Sequence, residues 1–148
     1  MGKAIMVQGT ASHVGKSVLV TALCRIFRED GLRVAPFKAQ NMSLNSYVTP
    51  DGKEIARAQA AQAEAAGIPA EVIMNPILLK PAAGGGSQVV VLGRPWHYAT
   101  PVGYGDHVPH LARVVEESLR ELLERFDVVV IEGAGSPAEV NLRDRDLA

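Results

Sequence analysis

The apolar positions along the chain keep two periods. Val18, Leu19, Ala22, Leu23, Ile26 and Phe27 recur at helical spacing, with Arg25, Arg28, Glu29 and Asp30 gathering at the end and Gly31 as the stop. Leu111, Val114, Val115, Leu119, Leu122, Leu123 and Phe126 repeat the pattern, largely opposite Arg113, Glu116, Glu117, Arg120, Glu121 and Glu124. Elsewhere the apolar residues come in short runs, and Ala4 to Val7, Arg33 to Phe37 and Asp127 to Ile131 read as strands. Pro36 sets the second of these at an edge or ends it. The β-branched run Gln88-Val-Val-Val-Leu-Gly93 predicts a buried parallel strand, and Asn75-Pro-Ile-Leu-Leu-Lys-Pro81 an extended piece fenced by prolines. The alanine-rich stretch Glu54 to Ala66 predicts a helix between the Asp51-Gly52 turn and the Gly67-Ile-Pro69 break, with Ile55, Ala58, Gln59, Gln62 and Ala66 on one side. Gly84-Gly85-Gly86 reads as a flexible turn, and Arg94 to Gly105, holding Trp96, His97, Tyr98, Pro101 and Tyr104, as an aromatic loop.

Strands alternating with helices give an α/β domain whose parallel strands are joined by right-handed crossovers. The 148 residues fit one domain, and a 47% apolar composition supplies a core. The net charge of −1 carries no basic excess, which argues against nucleic acid or an acidic membrane as partner. No apolar run approaches the roughly 18 residues of a membrane span. The single cysteine, Cys24, cannot form an internal disulfide and reads as a packed side chain of the first helix. With an N-terminus that starts on a strand instead of a secretion signal, this predicts a cytoplasmic location.

Candidate chemistry collects at strand ends. Gly9-Thr-Ala-Ser-His-Val-Gly-Lys-Ser17 joins the first strand to the first helix. Such a loop wraps a phosphate chain because its backbone N–H groups point inward, the helix start adds positive potential and a lysine adds a full charge. Five residues lie between Gly9 and Gly15, so Thr10 takes the first-glycine place of the usual four-residue spacing. Thr10, Ser12, His13, Val14, Gly15, Lys16 and Ser17 are the nucleotide-binding candidates, with the Ser17 hydroxyl on a magnesium ion. Lys38-Ala-Gln-Asn-Met-Ser-Leu-Asn-Ser46 follows the second strand and reads as a binding loop. Asp127 to Ile131 runs into Glu132-Gly-Ala-Gly135, the arrangement expected of a second metal-ordering acid. Glu54 stands in the first turn of its helix, where it either complements the helix dipole or reaches the metal. His97, His107 and His110 lack the cysteine or carboxylate that would complete a familiar zinc set.

These motifs resemble the dethiobiotin synthetase-like enzymes that activate carboxylates, and more narrowly the cobyric acid synthase family. Phe37-Lys-Ala-Gln-Asn-Met-Ser-Leu-Asn-Ser46, Glu54-Ile-Ala-Arg-Ala-Gln59, Met74-Asn-Pro-Ile-Leu-Leu-Lys-Pro81 and Ile131-Glu-Gly-Ala-Gly-Ser-Pro-Ala-Glu-Val-Asn-Leu142 carry the likeness over almost the whole chain. The resemblance implies a three-layer P-loop NTPase fold with a mainly parallel sheet. It implies ATP and Mg2+ as cofactors and a corrinoid substrate. The implied reaction is amidation of the b, d, e and g carboxylates of adenosylcobyrinic acid a,c-diamide through acyl phosphates, with glutamine or ammonia as nitrogen donor. By the same likeness Lys16 and Lys38 are catalytic, and Ser17, Glu54 and Glu132 are metal ligands. Lys38, Gln40, Asn41 and Asn45 meet the substrate.

The family continues with further strands and a glutamine amidotransferase domain. Residues 1–148 are therefore expected to be the N-terminal portion of a truncated synthetase domain, with the glutaminase absent and a homo-oligomer allowed. Ala56, where the family more often has glycine, and the 94–106 loop depart from the pattern. Dethiobiotin synthetase and cobyrinic acid a,c-diamide synthase are the nearest alternatives, and the asparagine-rich loop argues against both. A ParA/MinD-like switch ATPase is a further alternative, one that usually carries an extra lysine where Thr10 and Ala11 stand. A non-catalytic remnant is the last.

Overall fold

A computed structural model describes residues 1–11, 13–83, 85–99 and 107–134. β1 (Lys3–Val7) leads through the glycine-bounded loop into α1 (Lys16–Glu29), and β2 (Val34–Phe37) follows. Two short strands, β3 (Gln40–Met42) and β4 (Ser46–Val48), precede β5 (Glu54–Ala56), which runs directly into α2 (Arg57–Ala66). A 3-10 turn at Val72–Met74 precedes β6 (Ile77–Ala82), β7 (Gly86–Val91) and β8 (Arg94–Ala99). Then come α3 (Val108–Arg125) and β9 (Val128–Glu132).

β9 is central, parallel to β1 on one side and to β2 on the other. All five of its residues are buried, which is why its sequence is continuously apolar up to Glu132. Alternate side chains take opposite faces. Val129 and Ile131, with Ala35 and Phe37, pack toward Leu122 of α3, while Val128, Val130 and Val34 pack against Val20 and Cys24 of α1. Helix, sheet and helix make three layers. α2 gives Ala63 to the first cluster and Ala66 to the second. Cys24 is fully buried, and that burial pushes its thiol up to about 12, the mark of an inert packed residue.

A second sheet has the order β3-β6-β7-β8. It corrects several expectations. β7 is a strand as expected, but it pairs antiparallel with both β6 and β8, because the tight turn leaving β6 is too short for a crossover. The aromatic stretch is a strand as far as Ala99. Leu92 and Gly93 both adopt positive φ, 45° and 76°, and turn β7 back into β8. Pairing slips at Val89/Val90, leaving Trp96 as the extra residue beside Pro95, and five of the six β8 residues are exposed. That exposure and the bulge erase any alternation. The helix expected from Glu54 begins at Arg57, because residues 54–56 pair antiparallel with 46–48 across the Asp51-Gly52 turn. Ile55 and Ala56 are buried, Ile55 in the core cluster with Phe37 and Met74 and Ala56 against Leu78 and Val90. Lys38 to Ser46 is likewise not one loop, since it holds β3 and the start of β4.

Ser12, Gly84, Pro101, Tyr104 and the motif from Gly135 through Leu142 lie outside the described residues. Among the described residues no helix is long and apolar enough to cross a membrane.

Candidate functional site

The site follows from the register of the central sheet. Val7 stands beside Glu132 and Phe37 beside Ile131, so the loop after β1, Lys38 after β2 and Glu132 at the end of β9 emerge together. Ligands bind at this carboxyl edge in open parallel sheets. Gly15 has φ 100°, a left-handed conformation that turns the loop into α1 and makes Lys16 and Ser17 its first residues. The Lys16 ammonium donates to the Ala11 carbonyl at 3.0 Å, arching back over the loop. A cavity of about 630 Å³ opens here between Lys16 and Ser17, the segment Lys38 to Asn41, and Glu132.

Glu132 organises the floor. Its Oε1 accepts from the Ser17 hydroxyl at 2.9 Å and from the Lys38 ammonium at 2.7 Å, and its Oε2 accepts from Gln62 Nε2 at 2.7 Å. The side chains of Glu132 and Lys38 are only 2% and 14% exposed. Burial alone would raise the Glu132 pKa. The Lys38 hydrogen bond and charge, then Gln62 and Ser17, outweigh it and hold the carboxyl below its usual value. The acid is therefore ionised at neutral pH. Ser17 Oγ and Glu132 Oε1 are adjacent hard oxygen donors, the ligand type magnesium takes, with Oε1 held in this structure by the Lys38 ammonium as well. The pair fits a hard divalent ion that keeps several waters.

The CbiA family model, described as the CobQ/CobB/MinD/ParA nucleotide binding domain, matches residues 5–143. The chain belongs to this nucleotide-binding family. Among the relatives of this CbiA-family chain is a cobyric acid synthase of Pelotomaculum thermopropionicum, 60% identical over 154 aligned residues. Another from Desulforamulus reducens is 60% identical over 148, and one from Salmonella heidelberg 58% over 147. These alignments cover 99–100% of this chain but 28–29% of each relative. The CbiA-family chain thus spans a little over a quarter of the length of the curated relatives it matches. The likeness read from the motifs is borne out, as is the P-loop-type α/β fold.

Within this CbiA domain the sequence candidates divide. His13, Gly15, Lys16, Ser17, Lys38, Gln40, Asn41 and Glu132 share the cavity wall. Thr10 and Val14 are exposed on the loop itself. Asn45 serves the chain with its backbone, accepting from the Arg57 N–H at 3.2 Å where α2 begins. Glu54, on β5 and not in a helical turn, is ion-paired with Lys80 at 2.6 Å. Burial raises its pKa, but Lys80 and Ser46 bring it below the usual carboxylate value. His97, His107 and His110 gather around Trp96 with ring centroids 5.9, 5.0 and 5.4 Å from it. Among the described residues no three His, Cys, Asp or Glu side chains form a metal-holding group.

Three further CbiA-domain residues escaped the sequence reading. Gln59 and Gln62 are fully buried on α2, and two amides one turn apart on the inner face of an alanine-rich helix were the available signal. Asn75 is the third. Its Nδ2 donates to the Lys38 and Ile77 carbonyls, both at 3.0 Å, and Lys38 N–H returns a bond to Met74 O at 2.8 Å. This clamp fixes the backbone beneath Lys38. Asn75→Leu is expected to cost about 2 kcal/mol for two lost bonds. Asn75→Asp should cost more, because it sets acceptors against both carbonyls. Urea denaturation reads both, and a Leu variant as stable as wild type would remove the clamp from the account.

Proposed function

We propose that this chain is the carboxylate-activating part of a cobyric acid synthase. In this reading it amidates the b, d, e and g carboxylates of adenosylcobyrinic acid a,c-diamide at the expense of ATP. Nitrogen comes as ammonia from glutamine, released by a glutaminase domain outside these 148 residues. The observation that carries the reading is the convergence of Lys16, Ser17, Lys38 and Glu132 on one cavity, in a chain 57–60% identical to cobyric acid synthases.

Each residue then has a task. Lys16 holds the transferring phosphoryl group, and a charge that stays on the γ-phosphate oxygens stabilises the loose transition state. Lys38 steers the substrate carboxylate toward it. That carboxylate oxygen attacks the γ-phosphorus with loss of ADP, and ammonia then attacks the acyl carbon and expels phosphate. Ser17 and Glu132 would hold magnesium as Lys38 passes from Glu132 to the substrate carboxylate, and the ion would supply charge neutralisation on the phosphates. Glu54 joins that set only by exchanging Lys80 for the ion. Gln40, Asn41 and Asn45 contact the corrinoid.

The mechanism leaves one carboxylate oxygen in the released phosphate. With corrinoid labelled by 18O in its carboxylates, ATP and ammonium chloride, the full-length protein is expected to transfer 18O into inorganic phosphate, one atom per amide formed. ADP release that ignores the corrinoid, with unlabelled phosphate, would end this reading and leave a nucleotide hydrolase.

A further inference from the structure

Glu132 also fixes the direction of a buried chain of amides. A carboxylate only accepts hydrogen bonds, so Gln62 must turn its NH2 to Oε2, at 2.7 Å. The Gln62 carbonyl therefore faces Gln59, whose Nε2 lies 3.4 Å away. The Gln59 carbonyl in turn accepts from Asn41 Nδ2 at 2.8 Å. Gln59 and Gln62 are fully buried, so no water competes for these groups; an amide flip at either would break two bonds, and a flip at Asn41 would break its one bond to Gln59. Asn41 stands on the cavity wall. One of its two N–H groups is committed inward, which fixes the sense of the amide and leaves Oδ1 as its acceptor for a ligand.

We infer that Asn41 is a specificity-determining residue presenting an acceptor to the cavity, and that Gln59 and Gln62 are positioning residues that hold it in that sense. The ligand group it takes is a neutral N–H donor: ammonia or a primary carboxamide. A carboxylate offers no donor to Oδ1 and is met instead by the Lys38 ammonium, which has donors only. The cavity thus sorts the two kinds of group that an amidation interconverts. This inference rests on the synthase reading for the identity of the ligand, but the relay itself does not.

The test uses full-length protein in three forms besides wild type: Asn41→Leu, Gln59→Met and Gln59→Glu. Gln59 does not line the cavity, so its effects travel through Asn41 or, by way of Gln62, through Glu132, and the KM for ATP reads the second route. Glutamate keeps an acceptor for Asn41 Nδ2, whereas methionine keeps only the volume. In protein labelled with 15N-asparagine and free of substrate, the Asn41 side-chain N–H is expected to resist solvent exchange in wild type and Gln59→Glu and to lose protection in Gln59→Met. In turnover, the KM for ammonium chloride or for the corrinoid should rise about tenfold in Gln59→Met and Asn41→Leu. The KM for ATP should stay within about twofold, and Gln59→Glu should remain near wild type. Which KM moves tells ammonia from a substrate carboxamide.

A packing role predicts the reverse order, with methionine tolerated and a buried glutamate poorly tolerated. That order, or an Asn41 N–H unprotected in wild type, overturns the inference. Should Gln59→Met fail to fold, Asn41→Leu on the cavity wall carries the kinetic arm, and unchanged KM values there overturn it too. Absence of corrinoid-dependent turnover in wild type counts against the synthase reading alone, because the exchange arm reads the relay without substrate.

Discussion

Lys16→Ala is expected to weaken Mg-ATP binding at least about a hundredfold while leaving the fold intact. Lys16 opens α1 and curves its ammonium back to within 3.0 Å of the Ala11 carbonyl, already over the loop that would hold phosphates. Charge-assisted bonds to phosphate are each worth about 1.5–3 kcal/mol, and losing two of them gives at least that factor. The core contributions of α1 come instead from Val20 and Cys24. Alanine is also a better helix former, so helix content should not fall. Calorimetric titration of wild type and variant, with circular dichroism as the fold control, checks the pair. Equal affinities would place the phosphate site somewhere else.

Glu132→Leu is expected to cost about 3–5 kcal/mol of folding stability at neutral pH, the usual penalty for leaving a buried charge without its partner. Lys38 would be stranded at 14% exposure, and Gln62 would lose its acceptor. A pH series isolates the carboxylate. The folded-state pKa of Glu132 lies below its ordinary 4.5, so its contribution is complete above about pH 4.5 and is lost as pH falls through the depressed value. Asp51, Glu54 and Asp127 are also lowered, but they are shared by both proteins and cancel in the difference. The stability gap between wild type and Glu132→Leu should therefore narrow on acidification. Urea denaturation at pH 7 and at successive values below pH 4.5 reads it, and a gap independent of pH would mean that the loss is packing and not charge.

How much of this was legible in the sequence depends on how local each signal is. The phosphate loop, α1, α3 and β9 declare themselves because each is written in consecutive residues with a strong period, and Glu132 ends a run that only a doubly covered strand would need. The β4–β5 pairing was hidden, although the Asp51-Gly52 turn was read, because polar Ser46 and exposed Val48 do not look like a strand and the alanines beyond Ala56 favour helix whatever precedes them. β8 was hidden by exposure and by the bulge at Trp96. Gln59 and Gln62 were placed on the correct side of their helix. Their meaning was out of reach, because the acid that orients Gln62 lies 70 residues further along the chain.

The strand order has a consequence for the history of the molecule. β1 and β2 are neighbours in sequence order, yet they do not pair; β9 occupies the slot between them. Neither strand can form its parallel ladder in this sheet until residues 128–132 are present. Closing that gap joins segments more than 90 residues apart and pays its loop entropy in one late event. The same insertion delivers Glu132 to Ser17 and Lys38. Docking of β9 between β1 and β2 and assembly of the cavity floor from Ser17, Lys38 and Glu132 are thus a single step.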